Sequence, residues 1–321
     1  MKRLRYNSWM PFSWHGIRIE IPEEWNPGKI VGDPKSGNVR LDDTEIIRVE
    51  LEWKSAEGDN RVDRIVDRYI EGLAKQAQKE KRSLNVERRI DSLALTDLPF
   101  DDVTTFSWRS SFDVHTLACY SDLSDRLIFV RVMSRPEEDA TELLQRVFGS
   151  LGDTAIEAEQ SWSLFGLEVT SPPGYGLEEY DLKSGHIRLQ FGSGKSILQV
   201  DRISLANALL SGISLSDWYT GFFGKDLRYV NYEVSSWDTQ GDDGIALEGV
   251  PKSRAQSLLQ PLPFWDARPR RFYTARAWLE AEENRILTVQ SFWRTPEEAP
   301  DIDTVAKSAV QTHLPTNSEA D

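Results

Sequence analysis

Cysteine is nearly absent from this sequence of 321 residues, which contains only Cys119. A single cysteine cannot form an intrachain disulfide, and a reducing compartment fits this composition, so we expect a cytoplasmic protein. The sequence also has no run of roughly 20 apolar residues, the length that a membrane-spanning helix needs. Its basic start at residues 1–5 is not followed by an apolar stretch of about 7–15 residues. We therefore predict neither a secretory signal nor membrane insertion.

Histidine is also scarce, with four in the chain. Neither a His-Glu-x-x-His pattern nor a Cys-x-x-Cys pair is present, so the usual spacings of zinc ligands are missing. Acidic pairs recur at 42–43, 101–102, 242–243 and 282–283. Neighbouring residues of a strand point to opposite faces, so these pairs are better explained as turn or surface acids than as ligands of a hard cation. We expect no metal and no cofactor.

Positive charge is in deficit: 38 Lys and Arg stand against 52 Asp and Glu, for a net charge of −14. A polyanionic nucleic acid would be repelled by this balance, and no local basic stripe overrides it, so we expect no nucleic-acid partner. Hydrophobic residues make up 39% and aromatic residues 10%, which is enough for packed cores. The length fits two domains of ordinary size.

The second half of the sequence repeats features of the first half in the same order. Five pairs are each separated by 150 positions: Gly16/Gly166, Ile17/Leu167, Ile19/Val169, Pro22/Pro172 and Trp25/Tyr175. Three segments also return: 36–41 as 184–189, 125–130 as 284–289, and 135–138 as 295–298. Preserved order over so many positions predicts a tandem duplication, with an insertion of about ten residues before 284 in the second copy. The predicted organisation is listed by range: repeat 1 at 1–152, a linker at 153–160, repeat 2 at 161–315 and a tail at 316–321.

Each copy predicts the same sequence of elements. Alternating apolar residues at 17–21 and 167–171 predict an opening strand that ends at a proline, followed by a turn. Two further strands then form a hairpin, and helical spacing at 59–79 and 214–223 predicts a helix in each copy. More strands follow, and Pro136 and Pro296 are expected to start a closing helix. We therefore expect an α+β fold of two homologous domains, each with an antiparallel sheet of about five or six strands packed with helices.

This order of elements, with Pro22 and Trp25 after the opening strand and Pro172 and Tyr175 in the second copy, resembles the PsbP-like superfamily. Its members include the extrinsic protein of photosystem II, a Ran-binding import factor, the DcrB and LpqN proteins, and effector chaperones of type VI secretion. The resemblance covers both copies and implies a binding or adaptor protein rather than an enzyme. No functional residue of that superfamily is carried over to this sequence.

The stretch "GSGKS" at 192–196 has the composition of a phosphate-binding loop. The full pattern requires glycine where Leu189 stands, and the residues after the stretch alternate as in a strand. We predict a hairpin turn at this position.

Cys119 and His115 are four residues apart, so on a strand they would share a face and could form a thiolate–imidazole pair. The repeat aligns Cys119 with Trp278 and His115 with Thr274. A bulky hydrophobic residue in the equivalent position favours a buried core position for the cysteine. The catalytic pair stays as the alternative.

The most unusual stretch is 257–273, which combines three prolines with aromatic and basic residues. It either folds back over its own sheet or presents aromatic anchors to a partner, with arginines around them. The candidate partner-binding residues are Leu259, Leu262, Phe264, Trp265, Arg268 and Arg270. Trp265 is the strongest of these, because the similar stretch 98–102 of the first copy has no counterpart for it.

From the sequence we expect a non-catalytic, protein-binding adaptor, chaperone or assembly factor. We expect a monomer in which the two domains form a pseudo-twofold pair. Two alternatives remain: a hydrolase or transferase that uses Cys119 and His115 in an interdomain cleft, and a permanent subunit of a larger complex.

Overall fold

The computed structural model describes residues 2–311, except 89, 91, 92, 94, 96, 97, 239–242, 253–270, 296 and 297. The chain divides into two compact units. Unit 1 comprises Met1–Ile156 and Gln160–Gly166, and unit 2 comprises Glu157–Glu159 and Leu167–Asp321. The repeat boundaries expected from the sequence stay predictions.

Unit 1 contains twelve strands and two helices among its described residues. The strands are β1 (Lys2–Arg3), β2 (Trp9–Trp14), β3 (Ile17–Pro22), β4 (Asn26–Gly32), β5 (Ser36–Asp42), β6 (Ile47–Ser55), β7 (Val86–Arg88), β8 (Asp102–Arg109), β9 (Asp113–Ser121), β10 (Arg126–Ser134), β11 (Glu138–Asp139) and β12 (Gln160–Leu164). The helices are α1 (Val62–Lys79) and α2 (Thr141–Gly149). Seven strands form an antiparallel sheet in the order β4-β5-β6-β10-β9-β8-β7. Strands β12, β2 and β3 form a smaller antiparallel sheet.

Unit 2 contains eight strands and four helices among its described residues. The strands are β13 (Leu167–Ser171), β14 (Gly176–Lys183), β15 (His186–Ser193), β16 (Ser196–Ser204), β17 (Val230–Asp238), β18 (Asp243–Pro251), β19 (Phe272–Glu280) and β20 (Arg285–Trp293). The helices are α3 (Ala206–Leu209), α4 (Leu215–Phe222), α5 (Gly224–Leu227) and α6 (Ile302–Gln311). Its seven-stranded antiparallel sheet has the order β14-β15-β16-β20-β19-β18-β17, which matches the order of the sheet in unit 1.

The expected α+β class is wrong, because the protein is mostly β: 50% of it is strand and 19% is helix. Each large sheet has seven strands instead of five or six. The physical reason is that the alternating segments pair as long hairpins, so most strands of both sheets run for seven to nine residues.

Three local predictions also differ from the structure. The opening strand β3 joins the smaller sheet of unit 1. The expected turn follows it at residues 23–24, where the N–H of Trp25 donates to the carbonyl of Pro22 at 3.0 Å. The next element, strand β4 at the edge of the large sheet, was not expected. A strand, β14, also follows β13 in unit 2. The closing helices α2 and α6 begin at Thr141 and Ile302, several residues after the prolines that were expected to start them. Residues 138–139 instead form β11, which pairs with β1.

In each unit, helices pack against part of one face of the seven-stranded sheet. In unit 1, α1 packs its apolar stripe on Phe106, Ala118 and Phe129. It begins at Val62, whose N–H donates to the carboxylate of Asp102 at 3.1 Å. In unit 2, α4 and α5 pack on the sheet through a list of buried residues: Trp218, Tyr219, Phe223, Leu227, Leu247, Tyr273, Ala275 and Ala277. The contacts of α1 in unit 1 are therefore with β8, β9 and β10.

No helix among the described residues is long and apolar enough to cross a membrane.

Candidate binding groove and its counterpart in unit 2

A row of charged side chains crosses the central strands of the sheet in unit 1. Arg40 of β5 pairs with Glu50 of β6, and Glu50 pairs with Arg131 of β10. Directly paired residues of antiparallel strands lie on the same face, so the three side chains form one row. The Arg40 Nε atom lies 3.1 Å from a carboxylate oxygen of Glu50. Arg131 donates to Glu52 at 2.8 Å and is 8% exposed, so its charge is held in a nearly buried position.

Helix α1 brings an aromatic ring to this row. Tyr69 follows Val62 and Val66 along the inward stripe of the helix. The guanidinium carbon of Arg131 lies 5.2 Å from the centre of the Tyr69 ring and 5.5 Å from that of Phe129. Both distances are in the range of a favourable cation–π contact. The aromatic rings therefore stabilise the buried arginine and fix its position.

Tyr69, Phe129 and Arg131 line an open groove of about 950 Å³ between α1 and the sheet. Leu127, Phe129 and Tyr69 supply apolar surface to it. More than half of the lining residues are charged, and both signs are present: Asp33, Lys35, Glu52, Lys54, Glu57, Asp59, Arg68 and Arg131. Apolar surface combined with charges of both signs offers hydrophobic contact together with directional ion pairs.

The carboxylates of Asp33 and Asp59 in the groove are held in their charged form. The backbone N–H groups of Ser36 and Lys35 donate to Asp33 at 3.0 and 2.7 Å, and these bonds lower the pKa of its carboxyl. Arg68 donates to Asp59 at 2.5 Å and lowers the pKa of that carboxyl. Both groups therefore stay negative near neutral pH, and they supply fixed charge rather than a proton-transfer group.

The corresponding row of unit 2 consists of glutamines. Gln190 of β15 pairs with Gln199 of β16, and Gln199 pairs with Gln290 of β20. The hydroxyl of Tyr219 from α4 donates to the Gln290 side-chain oxygen at 3.1 Å, and that of Tyr273 does so at 2.8 Å. Gln290 is fully buried, and its side-chain nitrogen has no partner among the described residues. This row is therefore neutral and mostly buried from solvent.

The two rows occupy equivalent positions in their sheets. In unit 1 the ladder between β6 and β10 contains the pair Ser55–Arg126, and in unit 2 the corresponding ladder contains Ser204–Arg285. In unit 1, the pair Glu50–Arg131 lies five residues further along this ladder from Ser55–Arg126. In unit 2, the pair Gln199–Gln290 lies five residues further along from Ser204–Arg285. The same position of the same sheet order is thus charged in one unit and neutral in the other.

A pocket of about 310 Å³ lies beside the glutamine row of unit 2. Its lining includes Gln190, Gln199, Phe292 and Arg271. Gln199 is held in place because its side-chain nitrogen donates to the buried carboxylate of Asp201 at 2.7 Å. The pocket is about a third of the volume of the groove in unit 1.

The candidate partner-binding residues Leu259, Leu262, Phe264, Trp265, Arg268 and Arg270 lie outside the described residues. The described chain resumes at Arg271, which lines the pocket of unit 2. The assignment of the 257–273 stretch to self-packing or to a partner site stays a prediction.

The structure does not support a thiolate at Cys119. Its side chain is 1% exposed, and burial raises the pKa of the thiol well above its ordinary value. Burial also lowers the pKa of His115. The two residues share one face of β9, but four residues of strand separate them by about 13 Å. The imidazole is therefore too far away to take a proton from the thiol.

Two further features of the sequence are located by the structure. Residues 192–196 form the end of the β15–β16 hairpin, where Ser193 pairs with Ser196 and Gly194 has a φ of 59°. The predicted hairpin turn is confirmed. Among the described residues, no group of three or more Asp, Glu, His or Cys is arranged to hold a metal ion.

The groove of unit 1 was not predicted from the sequence. Alternation along 47–53 shows that Glu50 and Glu52 share a strand face. Nothing in the sequence shows that Arg131 lies across from Glu50, because β6 and β10 are separated by more than seventy residues. The available signal was the tyrosine that both helical segments share, since Tyr69 and Tyr219 are 150 positions apart, like the opening motifs.

No family model and no curated protein matches the chain. Among solved structures, the apo structure of the immunity protein TplEi of the type VI secretion system from Pseudomonas aeruginosa is 10% identical in sequence. The match covers 94% of this chain and 96% of that chain with a TM-score of 0.34, which carries no argument about fold or function.

Proposed function

We propose that the protein is a non-catalytic binding protein that holds a segment of another polypeptide in the groove of unit 1. The observation that carries this proposal is the combination of apolar and oppositely charged side chains in one open groove. Pockets that bind small molecules are lined mostly by apolar groups and enclose most of the ligand. A wide groove with charges of both signs is better suited to a polypeptide, whose side chains alternate in charge and polarity.

The buried Arg131 gives the groove a fixed centre of recognition. Its guanidinium is already oriented by Glu52 and by the ring of Tyr69, so little side-chain entropy is lost when a partner carboxylate or carbonyl binds. Arginine and aromatic residues with this arrangement dominate the binding energy of many protein interfaces. An adaptor, a chaperone, an assembly factor and a permanent subunit could each bind a polypeptide in such a groove, so the proposal includes all four roles.

The test is capture of the partner with matched charge variants of the full chain. The groove variant combines Lys54→Glu with Arg68→Glu, which reverses two exposed charges that line the groove. The control combines Lys183→Glu with Arg294→Glu, which makes the same change of net charge at exposed positions of unit 2. Each set disrupts one exposed ion pair, Arg68–Asp59 in the groove and Lys183–Asp181 in the control.

The proposal predicts a stoichiometric protein partner that binds the parent and the control but is lost from the folded groove variant. Circular dichroism and thermal unfolding establish that each variant is folded. Equal capture by the parent and the groove variant would contradict the assignment of the groove.

A further inference from the structure

The two seven-stranded sheets have four edges, and three of them carry features that oppose strand addition. Strand β4 has an irregular register between Pro27 and Lys29. Strand β14 has a register shift between Leu177 and Glu179 and several charged residues. Strand β7 spans only three residues. Bulges, proline, edge charges and short length are the usual devices that prevent edge-to-edge pairing of sheets.

The fourth edge, β17, is long, lacks a bulge and proline, and carries two charged residues, Glu233 and Asp238. It pairs with β18 over nine residues, Val230–Asp238, without a register shift. It contains no proline and no lysine. Tyr232 and Val234 point to the same face of the sheet and are both 39% exposed. A long, regular edge with exposed apolar side chains is the kind of edge to which another strand adds.

The outward-facing backbone groups of β17 follow from its ladder. The N–H of Lys252 donates to the carbonyl of Tyr229 at 3.0 Å, so Tyr229 belongs to a hydrogen-bonded pair of this antiparallel ladder. Hydrogen-bonded pairs alternate with non-hydrogen-bonded ones. The N–H and C=O groups of Tyr232, Val234 and Ser236 therefore point away from β18, toward the side on which the described residues place no strand.

We propose that β17 pairs in antiparallel orientation with β17 of a second copy of this chain, about a twofold axis at Val234. In this register Val234 lies opposite Val234 of the second copy, and Tyr232 lies opposite its Ser236. The outward-facing backbone groups of Tyr232, Val234 and Ser236 then pair with those of the second copy. On the other face, Glu233 lies opposite Ser235 of the second copy, so no two like charges face each other. The strand is thus complementary to itself, which is why a second copy is the occupant that fits.

This proposal uses unit 2 and does not depend on the groove of unit 1. It departs from the monomer expected from the sequence, and one measurement decides between them. The parent chain is analysed by sedimentation equilibrium and by light scattering after size exclusion, over concentrations from micromolar to hundreds of micromolar. The proposal predicts a concentration-dependent mass of two chains, and a mass of one chain at every concentration would overturn it.

Matched variants locate the interface. Val234→Lys places two like charges together at the axis, and Ser236→Pro removes an outward N–H while leaving the ladder with β18 intact. Both are predicted to be folded monomers. Val31→Lys is the control, because Val31 is 41% exposed on the protected edge β4. It is predicted to dimerise like the parent. Dimerisation of a folded Val234→Lys chain with the affinity of the parent would overturn the proposal.

Cross-linking tests the register. With Val234→Cys, the two new thiols lie on residues directly opposite each other, about 5.5 Å apart at Cα, and are predicted to form an intermolecular disulfide on mild oxidation. With Tyr232→Cys, the thiols are four strand positions apart and are predicted not to cross-link. The native Cys119 is buried and does not compete. Cross-linking of Tyr232→Cys but not of Val234→Cys would contradict the register.

Discussion

Arg131 lies against the ring of Tyr69 in unit 1, with 5.2 Å between its guanidinium carbon and the ring centre. The tyrosine 150 positions later, Tyr219, contacts the equivalent sheet position of unit 2, where Gln290 accepts a hydrogen bond from it at 3.1 Å. The same helix-to-sheet contact is therefore made through a ring face in one unit and through a hydroxyl in the other. This difference accompanies an open, charged groove in unit 1 and a buried, neutral network in unit 2.

The first prediction follows from this difference. Tyr219→Phe removes a buried hydroxyl that contacts both Gln290 and Tyr273, so we expect a loss of about 1–2 kcal/mol in the free energy of unfolding. Tyr69→Phe keeps the ring that contacts Arg131, and we expect a change below about 0.5 kcal/mol. Urea unfolding of both variants measures the two values. Equal losses would show that the Tyr69 hydroxyl has a structural role as well.

The second prediction concerns the buried ion pair of Arg126 and Asp153. Both side chains are inaccessible to solvent, and the arginine also donates to the carbonyls of His15 and Pro34 at 2.9 and 3.0 Å. Asp153→Asn leaves a buried guanidinium without its counter-charge, so we expect a loss of about 3–5 kcal/mol in stability.

The control for this pair is Asp181→Asn, which removes an exposed partner of Lys183. We expect it to change stability by less than about 1 kcal/mol. Chemical denaturation of both variants gives the comparison. A small effect of Asp153→Asn would mean that solvent reaches the arginine.

The third prediction is a pH dependence of stability from His15. This residue is 5% exposed and packs edge-on against Trp14 and Trp162. Burial and the nearby Arg126 lower its pKa from 6.5 to about 4. Between these pH values the unfolded chain binds a proton that the folded chain does not. The neutral imidazole therefore contributes up to about 3 kcal/mol to the free energy of unfolding above pH 6.5, and this contribution is lost as the pH falls toward 4.

The matched variant for this test is His15→Asn. His15 has a φ of 49°, a conformation that asparagine tolerates better than most residues. Unfolding free energies of both proteins are measured at several pH values between 4 and 6.5. We expect the difference between them to shrink as the pH falls. Parallel curves would show that His15 titrates normally.

The fourth prediction concerns Cys119. Because the thiol is buried and its pKa is raised, we expect it to react with a thiol reagent only as fast as the protein opens. Addition of urea above the unfolding midpoint is expected to make labelling rapid. Fast labelling of the native protein would instead restore the alternative of a reactive cysteine.

The sequence predicted the local elements better than their assembly. Alternation of apolar residues located the β5–β6 and β15–β16 hairpins, and helical spacing located α1 and α4. Strand β4 was not predicted, because Pro27 and Gly28 are typical of a turn. An edge strand with a bulge tolerates both residues. The starts of α2 and α6 were misplaced for a related reason, since a proline followed by acids also fits a bend before a helix.

The groove could not be predicted, because it depends on which distant strands become neighbours. The charges of Glu50 and Arg131 are visible in the sequence, but their pairing is set by the register between β6 and β10. The open edge β17 was missed for the same reason, since a strand becomes an edge only through the order of the whole sheet. Membership of the PsbP-like superfamily and the origin of the two units by duplication stay predictions.

The groove of unit 1 is proposed to hold a segment of another polypeptide. The test replaces Lys54, which lines the groove, with a photo-crosslinking amino acid in the full chain and, separately, replaces Lys183 of β14, which is also exposed. After irradiation in cells of the native source, the account predicts one discrete cross-linked protein from position 54 and none from position 183. No cross-linked protein from position 54, or the same products from both positions, would contradict the account.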